Sequence, residues 1–452
     1  MSYKDDADRL IGELKGRLIR PEDADYDEAR RIWNGMVDKR PALIAQCAGT
    51  RDVVAAVNFA REQDLVVAVR GGGHNVSGNA SCDGGIVVDL RPMNDVQVDP
   101  EARTAIAGGG VKWGVYDAAT QMHGLASPGG AISTTGVAGL TLGGGFGWLS
   151  RSYGLACDNL ISAEIVTADG KVLTASEQEN PDLFWGIRGG GGNFGVVTHF
   201  QFRLRPVGEL HAGLLLYPRS ESESFLRVFA EVTADAPDEL SSMAAFLSTP
   251  DGDPVVGVFV VYNGPAGAAE RALKPYRSFG SPLLDDVGPK PYTAIQQAFD
   301  PGFPAGLRNY WKSSYLTGVG DDCIRVLVEH ANRAPSPLSV VGLEHMLGGA
   351  VARVAPDETA FASRQVDYNL LMLGIVDDPS LDEANKRWAK EMWTAVQPHA
   401  SGAVYVNYMD NDELDRVADA YGSANYARLA KIKDRFDPNN LFRLNQNIAP
   451  SG

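Results

Sequence analysis

With 452 residues, the chain exceeds what one ordinary hydrophobic core organises, so two domains or a large two-lobed one are expected. Hydrophobic residues make up 44% and charged residues 22%, the balance of a soluble globular protein. The net charge of −16 argues against nucleic acid or an anionic membrane as partner, since both demand basic clusters.

No apolar run reaches the roughly 18 residues of a membrane span. The stretch Met1–Arg20 is charged and periodic, unlike a secretion signal. Cys47, Cys82, Cys157 and Cys323 are scattered, with no CxxC pair and no metal-ligand spacing. Reduced thiols and a cytoplasmic location are the resulting expectations.

An opening helix is expected near Ala7–Gly16, then a short strand at Pro41–Ala45. Thr50 is expected to cap a helix with Asp52 in its first turn and Val53, Val54, Val57 and Ala60 on one face. Leu65–Arg70 reads as a strand ending directly in Gly71-Gly72-Gly73, which completes an α/β unit. Strands follow at Gly85–Leu90 and Thr104–Gly108, then a helix from Lys112 to His123. Gly136–Gly147 is glycine-dense. Ile161–Thr167 and Lys171–Thr174 form a hairpin whose Asp169-Gly170 turn has the right chemistry. Gly189–Gly195 is the last glycine cluster and runs into the strand Val196–Arg205.

Composition changes at Pro206. Strands near Ala212–Tyr217, Met243–Leu247, Val255–Val261, Val340–Leu347 and Asp367–Gly374 alternate with helices. The helices lie near Glu221–Ala234, Gly267–Phe279, Asp322–Ala334 and Leu381–Gln397. This pattern predicts an antiparallel sheet covered by helices on one face. From Tyr421 to Pro450 short polar turns are expected, with Asp437-Pro438-Asn439-Asn440 as a stop.

Fifty glycines are present, clustered between Gly71 and Gly195. Successive N–H groups in a glycine turn bind anions, and missing side chains let a diphosphate approach the main chain. One such loop reads most simply as a tight turn, but three in one domain imply a large anionic ligand. The first loop is neither a P-loop nor a dinucleotide fingerprint, because no GK[ST] and no G-x-G-x-x-G is present there. A lone histidine is more often structural than catalytic. His74, however, is the first large side chain after a strand and three glycines, and imidazole is a competent nucleophile near neutral pH.

An ordered set of segments now becomes recognisable: Arg70-Gly71-Gly72-Gly73-His74-Asn75, Gly85–Leu90, Gly136–Gly147, Tyr153–Asn159, Asp182–Gly195, Tyr405-Val406-Asn407-Tyr408, Tyr426–Leu429 and Lys433–Ile448. Together they resemble the FAD-linked oxidases of the vanillyl-alcohol-oxidase superfamily, specifically the berberine-bridge-enzyme-like family, from about residue 40 to the end. The resemblance implies an α+β protein. It comprises a PCMH-type FAD-binding domain of two subdomains (1–206), a substrate domain with an antiparallel sheet covered by helices (207–404), and a returning C-terminal segment (405–452). It implies FAD bonded to His74. Further cofactor contacts would come from Arg70, Gly71, Gly72, Gly73, Asn75, Gly78, Gly130, Thr134, Thr135, Gly136, Gly139, Gly144, Gly145, Val197, Asn407 and Asn447.

Many relatives add a second thioether from a cysteine before the second glycine run. Here Ile132 stands at that position, so a single tether is expected. Cys157 is elsewhere and reads as a small buried side chain. Thr135, close to valine in size, matches the position that influences reaction with O₂.

The resemblance implies oxidation of an alcohol or amine by hydride transfer, with O₂ giving H₂O₂. A base must then take the O–H or N–H proton. Candidates are Tyr405, Tyr408, Glu344 and His345. As a strand, the first segment would put Tyr405 and Asn407 on one face and Tyr408 on the other; of Glu344 and His345, at most one would reach the pocket. A tyrosine pKa near 10 must be lowered for such work. Arg353 and Arg364 read as structural ion-pair partners, and the acidic run Asp410–Asp415 as solvated surface. The expected partners are a small organic substrate and O₂, with the chain a monomer or homodimer. A single tether argues mildly against carbohydrate substrates. The alternatives are a same-fold dehydrogenase with another electron acceptor and a flavin-binding protein without turnover.

Overall fold

The computed structural model describes residues 3–451. Its first sheet is built from short, apolar segments that are buried on both sides, the pattern of parallel strands. Leu43–Gln46 and Val67–Arg70 both lie parallel to Ile86–Asp89, which separates them, and Arg17–Ile19 adds an antiparallel edge. The helix Thr50–Glu62 covers this sheet through Val53, Ala56, Val57 and Ala60. Gly49 rather than Thr50 is its N-cap; the Thr50 hydroxyl donates instead to Glu164 at 2.6 Å. Asp52 ties down the chain entering the domain, accepting backbone N–H bonds from Lys15, Gly16 and Ala48 at 2.8–2.9 Å. The opening helix, Tyr3–Glu13, stops before Gly16, where a Cβ would lie 1.9 Å from the Gln46 carbonyl oxygen.

The second sheet is antiparallel, in the order Val96–Asp99, Thr104–Gly108, Val196–Arg203, Leu160–Val166, Val172–Ser176. Gly170, at φ +80°, makes the expected tight turn of its hairpin. The glycine-dense stretch hides a short helix, Val137–Leu142.

The third sheet is antiparallel and runs Leu284–Asp285, Leu210–Pro218, Pro254–Tyr262, Leu240–Ser248, Val340–His345, Tyr368–Val376, Arg308–Leu316. One face packs against helices Ser222–Ala234, Ala266–Arg277, Asp321–Ala331 and Asp382–Val396 through Leu215, Val258, Val341, Leu343, Leu370 and Met372. Alternation sends Leu214, Met243, Phe259, Leu371 and Leu373 to the opposite face. That face looks toward the glycine loops. The fold is thus α+β, with several small sheets and helices.

Two segments differ from expectation. Arg308–Leu316 is a strand whose alternation is obscured because Lys312, Ser313 and Ser314 are buried along with its aromatics. Ser423–Phe436 is a 14-residue helix rather than polar turns. Its many charges hide a buried stripe of Leu429, Ala430, Ile432, Lys433 and Phe436. The stripe and Val404, Val406, Met409, Val417 and Tyr421 pack into the core of the second sheet. Lys433 is fully enclosed, donating to Asp437 (2.7 Å) and to the carbonyls of Asn193 and Phe442.

Helix Trp113–Gln121 meets helix Tyr292–Gln297 through a sealed polar contact, with Asp117 Oδ2 accepting from Gln296 Nε2 at 2.9 Å. Asp117 Oδ1, Gln296 Oε1 and the Tyr292 hydroxyl have no hydrogen-bond partner. Burial pushes the Asp117 carboxyl from 3.8 up to about 8. Across that window the folded protein keeps a proton that the unfolded chain has released, so stability falls as pH rises. Asp117→Asn removes this term and offers an amide to the idle acceptor on Gln296. Its Tm should match wild type at pH 4 and exceed it by about 5 °C at pH 9 in thermal melts.

Candidate functional site

A cavity of about 500 Å³ lies between the glycine loops, the open face of the third sheet and the C-terminal segment. The size is that of an ordinary ligand site. Its walls include Gly71–Asn75, Gly130–Ile132, Thr135, Gly136, Gly139, Gly191, Gly192, Val197, Glu344, Tyr405–Tyr408, Asn445 and Gln446.

The glycines serve two separable purposes. Some permit backbone contact between loops: a Cβ on Gly72 would lie 2.4 Å from the Gly136 nitrogen, and one on Gly71 2.8 Å from the Gly109 carbonyl oxygen. Others leave room for a ligand, since a Cβ on Gly139 or Gly192 would meet nothing within 4 Å. Around them, the buried Thr134 Oγ1, Asn445 Oδ1, Asn447 Oδ1 and two Arg70 guanidinium nitrogens have no protein partner. Buried polar atoms without partners are costly unless a ligand or water satisfies them. The open main chain of the glycine loops and the unpaired Asn445 Oδ1 at the wall fit a dinucleotide carrying a diphosphate.

His74 stands at the cavity wall. Its ring stacks on Trp33 at 4.9 Å and 19°, and Trp33 is held by its indole N–H on the Phe303 carbonyl. Asn75 Oδ1 accepts from Ser77 Oγ and the Asn79 N–H, both at 2.8 Å, which fixes the loop that follows. Burial, helped by the Lys112 charge, pushes the His74 imidazole down to about 3. The ring is therefore neutral at physiological pH, the form in which it is nucleophilic.

Across the cavity, Val406–Tyr408 is a 3₁₀ turn, not a strand. Its three-residue period brings Tyr405 and Tyr408 to the same side, with ring centroids 4.9 Å apart and planes at 90°. The Tyr405 oxygen accepts two hydrogen bonds, from the Gly145 N–H (3.1 Å) and Asn407 Nδ2 (2.8 Å). Tyr408 donates to Glu344 Oε1 at a long 3.5 Å, and Glu344 Oε2 accepts from Asn369 Nδ2 at 2.8 Å. Burial raises both phenols and pushes the Glu344 carboxyl up to about 8, against the pull of its two hydrogen bonds.

His345 is a correction. As the neighbour of Glu344 in a strand it turns to the other face, where its Nε2 lies 3.1 Å from Arg151 Nη1. Of the cofactor candidates, His74, Gly71, Gly72, Gly73, Asn75, Gly130, Thr135, Gly136, Gly139, Val197 and Asn407 line the cavity. Arg70, Gly78, Thr134, Gly144, Gly145 and Asn447 stand behind its wall. Arg70 donates to the Ala29 carbonyl, the Gly78 carbonyl accepts from Lys39, and Gly145 reaches the site through its bond to Tyr405.

Trp33, Phe146, Trp311 and Asn369 belong to the site and were not read from the sequence. Trp311 sits on the unrecognised strand, and Trp33 precedes every recognisable motif. Asp410–Asp415 is not all solvated surface: Glu413 is 3% exposed and 3.0 Å from the buried Lys312. Asp412 accepts from Lys312, Lys390 and Tyr310, and Asn411 Nδ2 donates to the Ser77 carbonyl at 2.7 Å. The turn after Tyr408 is thereby fastened to the loop after His74. Arg364 does pair with Asp158, at 2.7 and 2.8 Å, and Arg353 with Asp238. All four cysteines are free and buried.

Comparison with known proteins agrees with this geometry. An FAD binding domain family matches residues 41–176, and the family described as berberine and berberine like matches residues 404–449. An FAD-linked oxidoreductase of Dictyostelium discoideum is 33% identical over 97% of this chain and 95% of its own. The (R)-6-hydroxynicotine oxidase of Paenarthrobacter nicotinovorans is 32% identical over 97% and 98%. Among solved structures, 6-hydroxy-D-nicotine oxidase from Arthrobacter nicotinovorans superimposes with a TM-score of 0.90 at 31% identity, covering 97% of this chain and 98% of that one. Xylooligosaccharide oxidase from Myceliophthora thermophila gives 0.86 at 25%, covering 98% and 99%. The fold and its cavity are therefore those of an FAD-dependent oxidoreductase. The chain belongs to the berberine-bridge-enzyme-like family. Among the described residues, no helix is long and apolar enough to cross a membrane.

Gly143 tests the Tyr405 arrangement, because a Cβ there would lie 2.1 Å from Asn407 Oδ1. Gly143→Ala should push the amide off the phenol and lower the rate of flavin reduction by roughly tenfold, with Tm nearly unchanged.

Proposed function

We propose that this enzyme is an oxidase in which FAD, attached once and covalently through His74, accepts hydride from an apolar alcohol or amine. The observation that carries the reading is the pairing across one cavity of a neutral imidazole with the Tyr405–Tyr408–Glu344 cluster. Bound flavin would supply a two-electron acceptor, reoxidised by O₂ to give H₂O₂. The oxidase function of the 6-hydroxynicotine-oxidising relative and Thr135 at the cavity wall support oxygen as acceptor.

The protein's own part is binding, orientation and proton handling. His74, the glycine backbones, Asn445 and Gln446 hold the cofactor, with Ile132 occupying the wall where a second tether would stand. Met243, Phe259, Leu371, Leu373 and Trp311 form an apolar seat for the substrate and exclude water. The substrate proton is taken at Tyr405 Oη or at Glu344. The two N–H groups on Tyr405 partly offset the burial that raises its phenol, and Glu344 must be ionised to accept. Nothing on the sheet face offers the many hydrogen-bond partners that an oligosaccharide requires.

Two experiments test this. Mass spectrometry of the denatured protein should find FAD mass on the peptide containing His74, and His74→Ala should release all flavin on denaturation. Flavin that dissociates freely from the wild type would refute the tether. Second, kcat/KM should rise with pH and level off above about 8, where Glu344 ionises. Glu344→Gln should abolish that limb and lower kcat/KM by about 10²-fold or more.

A further inference from the structure

Among the described residues, Glu344 is the only carboxylate lining the cavity, and no lysine or arginine lines it. Its oxygens have only neutral partners, Asn369 and the Tyr408 hydroxyl. Asp437, Asp158 and Glu413 each face a cation (Lys433, Arg364 and Lys312), buried Asp52 is met by three backbone N–H groups, and Asp117, which has neither, does not border the cavity. A buried carboxylate without a counter-charge is costly, and a cationic ligand would relieve that cost.

The groups around it suit such a ligand. Tyr408 stands perpendicular to Tyr405 at 4.9 Å and edge-on to Trp311 at 6.0 Å and to Phe146 at 6.0 Å. Phe146 lies 4.7 Å from Tyr405 on the far side. Aromatic rings clustered beside one carboxylate are the surroundings that attract an organic cation. Behind Glu344, the fully buried Asn369 holds the carboxylate through its Nδ2 at 2.8 Å. The cavity wall also includes the apolar side chains Leu247, Phe303, Pro337 and Leu338, and Leu338 is 39% exposed.

We propose that the substrate is an apolar secondary or tertiary amine, taken up as its ammonium ion and held between Glu344 and the rings of Tyr408, Tyr405 and Trp311. The inference rests on the hydride-transfer reading above and narrows it to one substrate class. The ammonium N–H proton passes to the Glu344 carboxylate, which leaves a lone pair on nitrogen. The α-carbon then loses hydride, with both electrons, to the flavin as the lone pair forms the C=N bond of an iminium ion. The substrate is oxidised by two electrons, the flavin gains them, and O₂ is the final acceptor. Water hydrolyses the released iminium to a carbonyl compound and an amine.

The test uses the flavin-loaded wild type and an inert probe. Benzyltrimethylammonium has no nitrogen lone pair and cannot be oxidised; neopentylbenzene is its neutral counterpart in shape. Binding is read from the flavin absorbance. The cation should bind at least about tenfold tighter, and Glu344→Gln should erase that margin without weakening the neutral probe. Trp311→Leu should reduce it. Equal binding of the two probes, or a margin that survives Glu344→Gln, overturns the proposal. In parallel, anaerobic mixing with N-alkyl arylmethylamines and matching arylmethanols should show flavin reduction by the amines. Reduction by alcohols alone overturns the amine inference and leaves the hydride-transfer reading standing. Reduction by neither class overturns both.

Discussion

The architecture of the site depends on one contact between main chains, that of Gly72 with Gly136. A Cβ on Gly72 would sit 2.4 Å from the Gly136 nitrogen, and one on Gly136 would sit 2.5 Å from the Gly72 nitrogen. No rotamer change relieves a clash with backbone, so both positions exclude every other residue. This contact locks the loop that ends the first sheet to the N-terminus of helix Val137–Leu142 beside the second. His74 follows the first loop by two residues, and the Asn407 amide is anchored on the Leu140 carbonyl of that helix. Cofactor wall and catalytic cluster thus share a single rigid seam.

A second device fixes the opposite side. Asn411 donates to the Ser77 carbonyl, and Ser77 Oγ in turn donates to Asn75 beside His74. The same turn is held by Lys312 and Lys390 on the third sheet and its helix. Side chains from all parts of the chain therefore converge on the four residues Tyr405–Tyr408. Breaking a buried pair such as Lys312–Glu413 costs about 3–5 kcal/mol because it strands a charge. The ion network thereby turns a short irregular segment into a rigid support.

Much of this was legible in the sequence because it rests on local physics. The strands of the third sheet and their covering helices follow periodicities of two and 3.6, and nine of those elements fall within a few residues of their expected limits. The glycine loops mark themselves by composition. What escaped depends on distant partners. Arg308–Leu316 buries Lys312 only because Asp412 and Glu413, a hundred residues on, supply its counter-charges. The helix Ser423–Phe436 likewise hides Lys433 against Asp437 and two carbonyls, so its stripe reads as polar. The faces of Tyr405 and Tyr408 were misjudged because a 3₁₀ turn and a strand differ by one residue in period. His345 was carried as a candidate alongside Glu344, yet the alternation rule already required that one of the two turn away.

Among the described residues, Asp117 and Glu344 are buried acids met by neither a cation nor a backbone N–H, and their surroundings assign them different roles. Asp117 is sealed between two helices, touches Gln296 and does not border the cavity. Its carboxyl stays protonated over most of the physiological range and acts as a neutral hydrogen-bonding group. Glu344 has the same elevated affinity for a proton, yet it opens onto the cavity beside two phenols. Burial alone thus produces the same shift in both places and cannot by itself mark a functional acid. What distinguishes Glu344 is access: a ligand can reach it, alter its charge state and carry the consequence away. Among the described residues that line the cavity, Glu344 is thus the carboxylate a ligand can reach, with the Tyr408 hydroxyl bonded to it.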